Sequence, residues 1–309
     1  MASLTVSNFT NVTMEGEAED VFSVVIISLA IIINVIACPF TIGLNVLVIM
    51  AIKRRPTLQS NSNIMLACLA VTDVLTGLTS QPAFILWKTL FLLGSDIADV
   101  FSKMTAISNV VLSYSSALHL MMVVGEKLIA IKYPFWYPYI VTTRNIKMGV
   151  FFCWAYSTSF GIPLRLINGR SALFYISVSH ILFACVAFVS CSYLILYFET
   201  RRHQKMIKAQ QLPQEQVEKV LKENKALKTT VLVVGSIGLC LLPALVYLVL
   251  LAARFVQTRI DSMTAITRTF LMINAVLNPL IYCWRQEEIR KFVFRISFRA
   301  VHPNRVISL

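Results

Sequence analysis

The chain has 309 residues, of which 57% are hydrophobic and only 14% charged, and its mean hydropathy is +0.72. A soluble domain carries about a quarter charged residues, so this composition excludes an ordinary soluble protein and indicates a membrane protein. The net charge of +13 lies mainly in loops on one predicted side, which favours an anionic membrane surface as the partner and not nucleic acid.

Seven runs are long and apolar enough to cross a bilayer, which takes roughly 20 residues. They cover about 22–52, 62–88, 98–125, 147–167, 172–198, 229–253 and 262–284. The first run follows the acidic segment Glu15–Asp20 and precedes Lys53, the first basic residue of the chain, so it does not have the charge pattern of a signal peptide. We predict an all-α fold, a seven-transmembrane helix bundle with a short amphipathic eighth helix.

The hydropathy divides the chain into an outer tail at 1–21, the bundle at 22–284, and a basic segment at 285–309. In that last segment Ile289, Phe292 and Val293 alternate with charges, which is typical of a helix lying on the inner membrane surface.

Basic residues set the orientation, because cytoplasmic loops are enriched in Lys and Arg. With the N-terminus outside, 21 of the 28 Lys and Arg residues fall on the inner side. Asn8 and Asn11 begin two glycosylation sequons in the outer tail. We therefore expect a multi-pass protein of the cell membrane with an extracellular, glycosylated N-terminus. The cysteines all fall inside predicted spans, so no extracellular disulfide is expected.

Polar side chains within four of the spans are the first candidate site. They are Asn45, Asp73, Ser116, Asn274 and Asn278. A central Asp costs roughly 2.5–3.5 kcal/mol to insert, so such groups favour a functional role. If the helix faces converge, the group is either a cation site or a hydrogen-bonded structural cluster, and the sequence leaves both open.

A charged pair near the inner end of the third span is the second candidate. Glu126 and Lys127 lie there, and Glu223 precedes the sixth span. Lys127 can contact Glu223 across the bundle or simply anchor its helix at the interface. Pro243 and Pro279 interrupt the sixth and seventh spans and are candidate hinges.

Charges at the outer mouth offer a further alternative. Asp96, Asp99 and Asp261 either attract a cationic ligand or are solvated loop charges. His119, flanked by Leu118 and Leu120, is interpreted as a packed core histidine, since no catalytic partner is evident. We therefore predict no enzymatic activity.

In order along the chain, these residues resemble the rhodopsin-like (class A) G-protein-coupled receptors. The resemblance rests on Asn45, L-A-V-T-D ending at Asp73, E-K-L-I-A-I-K-Y-P from Glu126, Trp154, Tyr193, C-L-L-P from Cys240, and N-P-L-I-Y from Asn278.

The resemblance implies that an extracellular ligand moves the sixth helix outward and opens a crevice for a heterotrimeric G-protein. It implies sodium ligands at Asp73, Ser116, Asn274 and Asn278, with no other cofactor. It implies coupling and switch residues at Glu126, Lys127, Tyr193, Glu223, Asn278, Pro279 and Tyr282. The candidate ligand contacts are Asn109, Ser113, Leu241 and Arg268.

Four positions depart from the family pattern, and they bear on G-protein coupling, on the fifth helix and on the extracellular disulfide. Lys127 replaces the arginine of the D/E-R-Y segment and lacks its planar fork, and Leu241 replaces the tryptophan of C-W-x-P. Cys185 and Ser102 replace the fifth-helix proline and the third-helix disulfide cysteine, as in the melanocortin, cannabinoid and lysophospholipid receptor group.

Two further positions narrow the range of ligand classes that the receptor is expected to bind. The start of the sixth span resembles biogenic-amine receptors, yet Asn109 stands where those receptors have the aspartate that pairs with the amine. Met272 occupies the retinal-lysine position, which disfavours a photoreceptor.

Three alternatives to a signalling receptor remain at this point. One is a degenerate receptor that binds a ligand without coupling, which Lys127 and Leu241 favour. Another is a transporter, which would show repeated halves or several deep charges. The third is an intramembrane enzyme, which would need paired catalytic groups.

Overall fold

The computed structural model describes residues 2–168, 183–199, 201–202, 235, 240, 242–243, 246–247 and 260–301. Regular structure within these ranges is entirely helical. The helices are α1 Ala2–Arg54, α2 Asn61–Leu75, α3 Gln81–Leu92, α4 Ala98–Lys132, α5 Tyr137–Ile140, α6 Thr143–Asn168, α7 Phe183–Glu199, α8 Ile260–Arg285 and α9 Glu287–Val301. A 3-10 turn, Pro56–Leu58, joins α1 to α2.

Four segments among the described residues are long and apolar enough to cross a membrane. They are Val21–Arg54, Asn61–Leu92, Ala98–Lys132 and Asp261–Trp284, and they coincide with the first, second, third and seventh predicted spans. α6 is helical through the fourth predicted span, and α7 is a shorter apolar helix within the fifth. The sixth predicted span and the long segment before it lie almost wholly outside the described residues.

Helix boundaries differ from the sequence prediction at two places. α4 continues to Lys132, past the predicted end at residue 125, because the charged pair that follows is held by neighbouring side chains and does not end the helix. α1 begins at Ala2, so the predicted outer tail at 1–21 is helical from its second residue. α9 begins at Glu287, close to the predicted amphipathic segment.

The second predicted span contains a π-helical turn, Thr76–Ser80, between α2 and α3. Pro82 follows it and has no N–H to donate to the preceding turn, so a wider turn accommodates the missing bond. Gly77 in this turn lies tightly against α1, because a Cβ placed there would be 2.7 Å from Ile42 Cγ1. The turn therefore brings α1 and the second span into close contact.

Two apolar clusters separate the bundle into two ends. One cluster lies at the end of the bundle where α1 connects to α2, which we call the α1–α2 end, and contains Val48, Leu69, Leu120 and Tyr282. The other lies at the opposite end, where α3 connects to α4, which we call the α3–α4 end, and contains Ile27, Ala30, Phe84, Trp87, Ala265 and Met272. Along α1, α2 and α8, the polar residues singled out from the sequence fall between members of the two clusters. These residues, Asn45, Asp73, Asn274 and Asn278, together with Ser116 on α4, form what we call the polar layer, which lies between the two clusters.

Candidate functional sites

Asp73 forms the centre of the polar layer. Its carboxylate is buried, and Asn278 Nδ2 on α8 donates a hydrogen bond of 2.9 Å to Asp73 Oδ2. Asp73, Ser116 and Asn274 line one cavity, together with Asn109 and Ser113 from α4. The structure therefore joins the four predicted sodium ligands, three as cavity lining and Asn278 through its bond to Asp73.

The cavity has a volume of about 50 Å³. Drug-sized ligands occupy pockets of about 300–1,000 Å³, so the space between the described residues fits a few waters, one ion with waters or one end of a ligand, and not a whole ligand of that size. Asn274 Oδ1 and Asn278 Oδ1 are buried without a hydrogen-bond partner among the described residues. A carboxylate with neutral amide and hydroxyl oxygens is a donor set that suits a hard monovalent cation.

Asparagine side chains tie the polar layer to α1. Asn45 Nδ2 donates to Ala275 O on α8 and to Thr41 O on its own helix, at 2.9 Å each. Closer to the α3–α4 end, Asn34 Nδ2 donates to Thr269 Oγ1 at 2.9 Å. In hydrocarbon these bonds replace the water that an amide would otherwise need, so they hold α1 against α8.

Of the predicted ligand contacts, Asn109 and Ser113 line the cavity. Asn109 Nδ2 is buried and has no partner within the described part of the chain. Arg268 lies elsewhere, with its guanidinium carbon 4.6 Å from the centre of the Trp87 ring. Leu241 lies outside the described residues. Two of these candidates thus share one cavity, and Arg268 is not among its lining residues.

A buried lysine at the α3–α4 end is a further candidate that the sequence motifs do not identify. The side chain of Lys88 is 0% exposed, and its Nζ lies 3.3 Å from Asp261 Oδ1 and 4.0 Å from the centre of the Trp87 ring. The sequence marks Lys88 as a single lysine between Trp87 and Phe91, at the edge of an apolar run.

The outer-mouth acids are largely neutralised by lysines. Asp99 pairs with Lys103 at 2.8 Å, and Asp261 pairs with Lys88. Asp96 is exposed on the turn between α3 and α4. These pairs leave less negative potential for a cationic ligand than the sequence alone suggested.

The charged pair at the α1–α2 end is held in a network. The buried Glu126 carboxylate accepts hydrogen bonds from Tyr137 Oη at 2.7 Å and from Ser62 Oγ at 2.9 Å. Lys127 Nζ lies 3.1 Å from Glu126 Oε2 and also donates to Ser62 Oγ. The contact expected between Lys127 and Glu223 lies outside the described residues, because Glu223 is not among them.

The short helix α5 contributes to this network from the loop after α4. Burial, followed by the hydrogen bond to the Glu126 carboxylate, raises the pKa of the Tyr137 phenol well above its usual range. Tyr137 therefore stays a neutral donor at physiological pH. Asn61 Nδ2 donates to Val141 O at 2.7 Å, which ties the same loop to the start of α2.

The remaining predicted switch residues lie on α7 and α8. Pro279 is buried inside α8, and Tyr282 is packed in the apolar cluster of the α1–α2 end. Tyr193 is half-buried on α7, where its ring centre is 6.3 Å from that of Tyr197. Asn8 and Asn11 lie on α1, and the structure does not describe their side chains.

The contacts of one substituted position, Cys185, and of the core histidine, His119, are given by the structure. Cys185, where the family has a proline, donates its thiol to Ala117 O on α4 at 3.5 Å. His119 Nδ1 lies 2.6 Å from Ser115 O, and its ring meets Trp154 edge-on at 6.2 Å, so it is a packed core histidine as the sequence predicts. All seven cysteines are free thiols.

The profile of the 7 transmembrane receptor (rhodopsin family) matches residues 44–282. That range covers more than half of the chain and includes the polar layer and the Glu126 network, so the chain belongs to this family. It is an all-α bundle of seven membrane helices, a multi-pass membrane protein with G-protein-coupled receptor activity, and not an enzyme.

Several characterised receptors are similar in sequence. Melanocortin receptor 5 of Homo sapiens is 27% identical over an alignment of 263 residues that covers 80% of this chain and 77% of that receptor. Its Mus musculus counterpart is 26% identical over an alignment of the same length, with the same coverage. Adenosine receptor A2a of Homo sapiens is 27% identical over an alignment of 298 residues that covers 85% of this chain and 69% of that receptor.

Proposed function

We propose that this receptor lies in the cell membrane with its N-terminus outside, glycosylated at Asn8 and Asn11. In this orientation the α3–α4 end receives an extracellular ligand, and the α1–α2 end meets a heterotrimeric G-protein. The concentration of Lys and Arg in the segments at the α1–α2 end supports this orientation. Trp284 and the basic helix α9 anchor that end to the inner leaflet.

The observation that carries the coupling proposal is the network around Glu126. Lys127 stands at the position of the family arginine, and its ammonium is held by Glu126 and Ser62. An ammonium held there is withdrawn from a partner at the α1–α2 end. We propose that activation frees Lys127, while Glu223, Pro279, Tyr282 and Tyr193 take part in the rearrangement that opens the crevice.

The polar layer supplies the proposed control of this switch. Asp73, Ser116, Asn274 and Asn278 would hold a sodium ion in the resting state. The unpartnered amide oxygens of the two asparagines support this assignment. The ion would add an oxygen-bound charge between α2, α4 and α8, which favours the arrangement in which those helices remain close.

The ligand is proposed to contact Asn109, Ser113, Leu241 and Arg268. The relatives do not select its class, because receptors named for melanocortin and for adenosine are equally similar at 27% identity. A transporter is disfavoured by the family, and the cavity contains a single deep carboxylate, Asp73, among its described lining residues.

Replacing Lys127 tests the coupling proposal directly. We expect Lys127→Arg to raise nucleotide exchange on purified heterotrimeric G-proteins when it is combined with Glu126→Gln, which releases the cation, because a planar fork makes more donor contacts to a partner than an ammonium does. Lys127→Ala should abolish exchange. The measurement uses the full-length receptor in lipid nanodiscs with representatives of each G-protein class.

Lys132 supplies the matched control, since it is an exposed lysine on the last turn of α4. Lys132→Ala should leave exchange within about twofold of wild type, as expected for a surface charge outside the network. No exchange from wild type or from Lys127→Arg combined with Glu126→Gln with any G-protein class would contradict the proposal and favour a non-coupling receptor.

A further inference from the structure

A cluster at the α3–α4 end combines two cations with aromatic rings. Lys88 lies on α3 with its Nζ 4.0 Å from the centre of the Trp87 ring and 5.0 Å from that of Phe91. Arg268 on α8 places its guanidinium carbon 4.6 Å from the centre of the same Trp87 ring. Positive charge from two different helices therefore converges on one buried indole.

The burial of Lys88 makes this arrangement costly. An ammonium withdrawn from water loses its hydration and needs compensation from a counter-charge or an aromatic face. An apolar residue of similar volume would pack between Trp87 and Phe91 without that cost. The cluster is therefore better explained by recognition of a charged group than by packing alone.

The Asp261 carboxylate is the counter-charge of Lys88, and its position allows an incoming anion to replace it. The Asp261 side chain is 50% exposed, whereas that of Lys88 is 0% exposed, and the two approach to only 3.3 Å. Lys88 Nζ also lies 3.4 Å from the backbone carbonyl of Asp261, a contact that remains if the carboxylate turns outward. An incoming anion can thus take the place of the Asp261 carboxylate while Lys88 stays in position.

The depth of the charges is consistent with an acidic ligand. Lys88 and Arg268 are the buried and half-buried charges, while Asp96, Asp99 and Asp261 lie at the surface. A cationic ligand that passed the surface acids would meet the two cations next. Asn109, deeper in the bundle, provides an amide N–H rather than a carboxylate, so it too suits an acceptor group.

We propose that Lys88 and Arg268 bind the acidic head, a carboxylate or a phosphate, of the receptor's extracellular ligand, with the apolar part of that ligand against the exposed face of Phe91. This inference rests on the proposed function, because it places the ligand at the α3–α4 end. In the bound state the ligand anion lies between the ammonium and the guanidinium, and the Asp261 carboxylate faces water.

Four small probes with the same ring distinguish the ligand classes: phenylacetate, phenyl phosphate, phenylacetamide and phenethylamine. Binding to the full-length receptor in nanodiscs is measured by the shift of its thermal unfolding midpoint. We expect at least one of the two anions to bind at about 1 mM or tighter, as an efficient fragment of this size does. The amide and the amine should bind at least about tenfold more weakly, since they cannot pair with a cation.

Three variants test the assigned residues. Lys88→Gln and Arg268→Gln should each weaken anion binding by about tenfold, the value of one charge-assisted hydrogen bond. Asp261→Asn should strengthen it, because the competing carboxylate is gone. A purely structural ion pair predicts no such gain, so this variant separates the two roles even if Lys88→Gln folds poorly.

Lys103→Gln is the matched control, because Lys103 is 71% exposed and pairs with Asp99 away from the cluster. It should leave the affinity unchanged. The proposal is overturned if the amine binds better than both anions, if neither anion binds at about ten times the expected concentration, or if Lys103→Gln weakens binding as much as Arg268→Gln. Phenylacetate alone or phenyl phosphate alone would each support it and identify the head group. Because no G-protein enters this assay, its failure is distinguishable from a failure to couple.

Discussion

At the scale of single residues, Glu126 controls whether Lys127 at the α1–α2 end is held or free. Its carboxylate accepts hydrogen bonds from Tyr137 and Ser62 while pairing with Lys127. The Lys127 side chain is 29% exposed and that of Glu126 only 4%, so solvent screens the pair from one side. Such a semi-exposed pair contributes about 1 kcal/mol, which is small for stability but shifts a two-state equilibrium about fivefold.

Glu126→Gln should therefore raise basal nucleotide exchange about fivefold, because the neutral amide no longer holds the ammonium. The measurement is exchange on the G-protein class that wild type activates best. Tyr137→Phe removes one hydrogen bond and leaves the ion pair, so its effect should be smaller. Basal exchange that is unchanged or lower in a normally expressed Glu126→Gln receptor would contradict this role.

At the scale of helices, the π-helical turn controls how α1 meets the second span. Gly77→Ala would place its Cβ 2.7 Å from Ile42 Cγ1 and 3.3 Å from Thr41 Cγ2. The helices must separate or repack, which costs about 1–3 kcal/mol in a packed interior. We expect a lower thermal unfolding midpoint for this variant in detergent or nanodiscs.

Gly43→Ala offers the opposite expectation within α1. Nothing lies within 4 Å of a Cβ at that position. Alanine is about 1 kcal/mol better than glycine inside a helix, so the midpoint should rise or stay the same. Equal shifts of the thermal unfolding midpoint in the two variants would show that the close approach at Gly77 does not affect stability.

Hydropathy predicts the extent of these helices well and their interruptions less well. The apolar runs locate the end of α1, the start of α4 and both ends of α8 to within about two residues, whereas α1 begins earlier and α4 ends later than the runs predict. The turn at Thr76–Ser80 depends on Pro82 and Gly77 acting together against α1, which is a tertiary contact. The end of α4 also differs, because the partners that stabilise its last turns come from α2 and α5.

At the scale of the whole molecule, a polar layer connects a charged cluster at each end of the bundle. The sequence predicts the layer, because Asp73 and Asn278 are costly residues inside apolar spans. It does not predict the cluster of Lys88, Trp87 and Arg268, because that cluster joins residues far apart in the chain and depends on how α3 packs on α8. The family profile supports the receptor function independently of both clusters.

The most direct test of this account measures sodium dependence in the purified receptor. Replacing potassium by sodium at constant ionic strength should raise the thermal unfolding midpoint and lower basal nucleotide exchange, because the ion stabilises the resting arrangement around Asp73. In Asp73→Asn both effects should disappear, while in Lys103→Gln both should persist. Equal responses to sodium and potassium in wild type, or an undiminished sodium response in Asp73→Asn, would contradict the claim that the polar layer binds a cation and controls the coupling end.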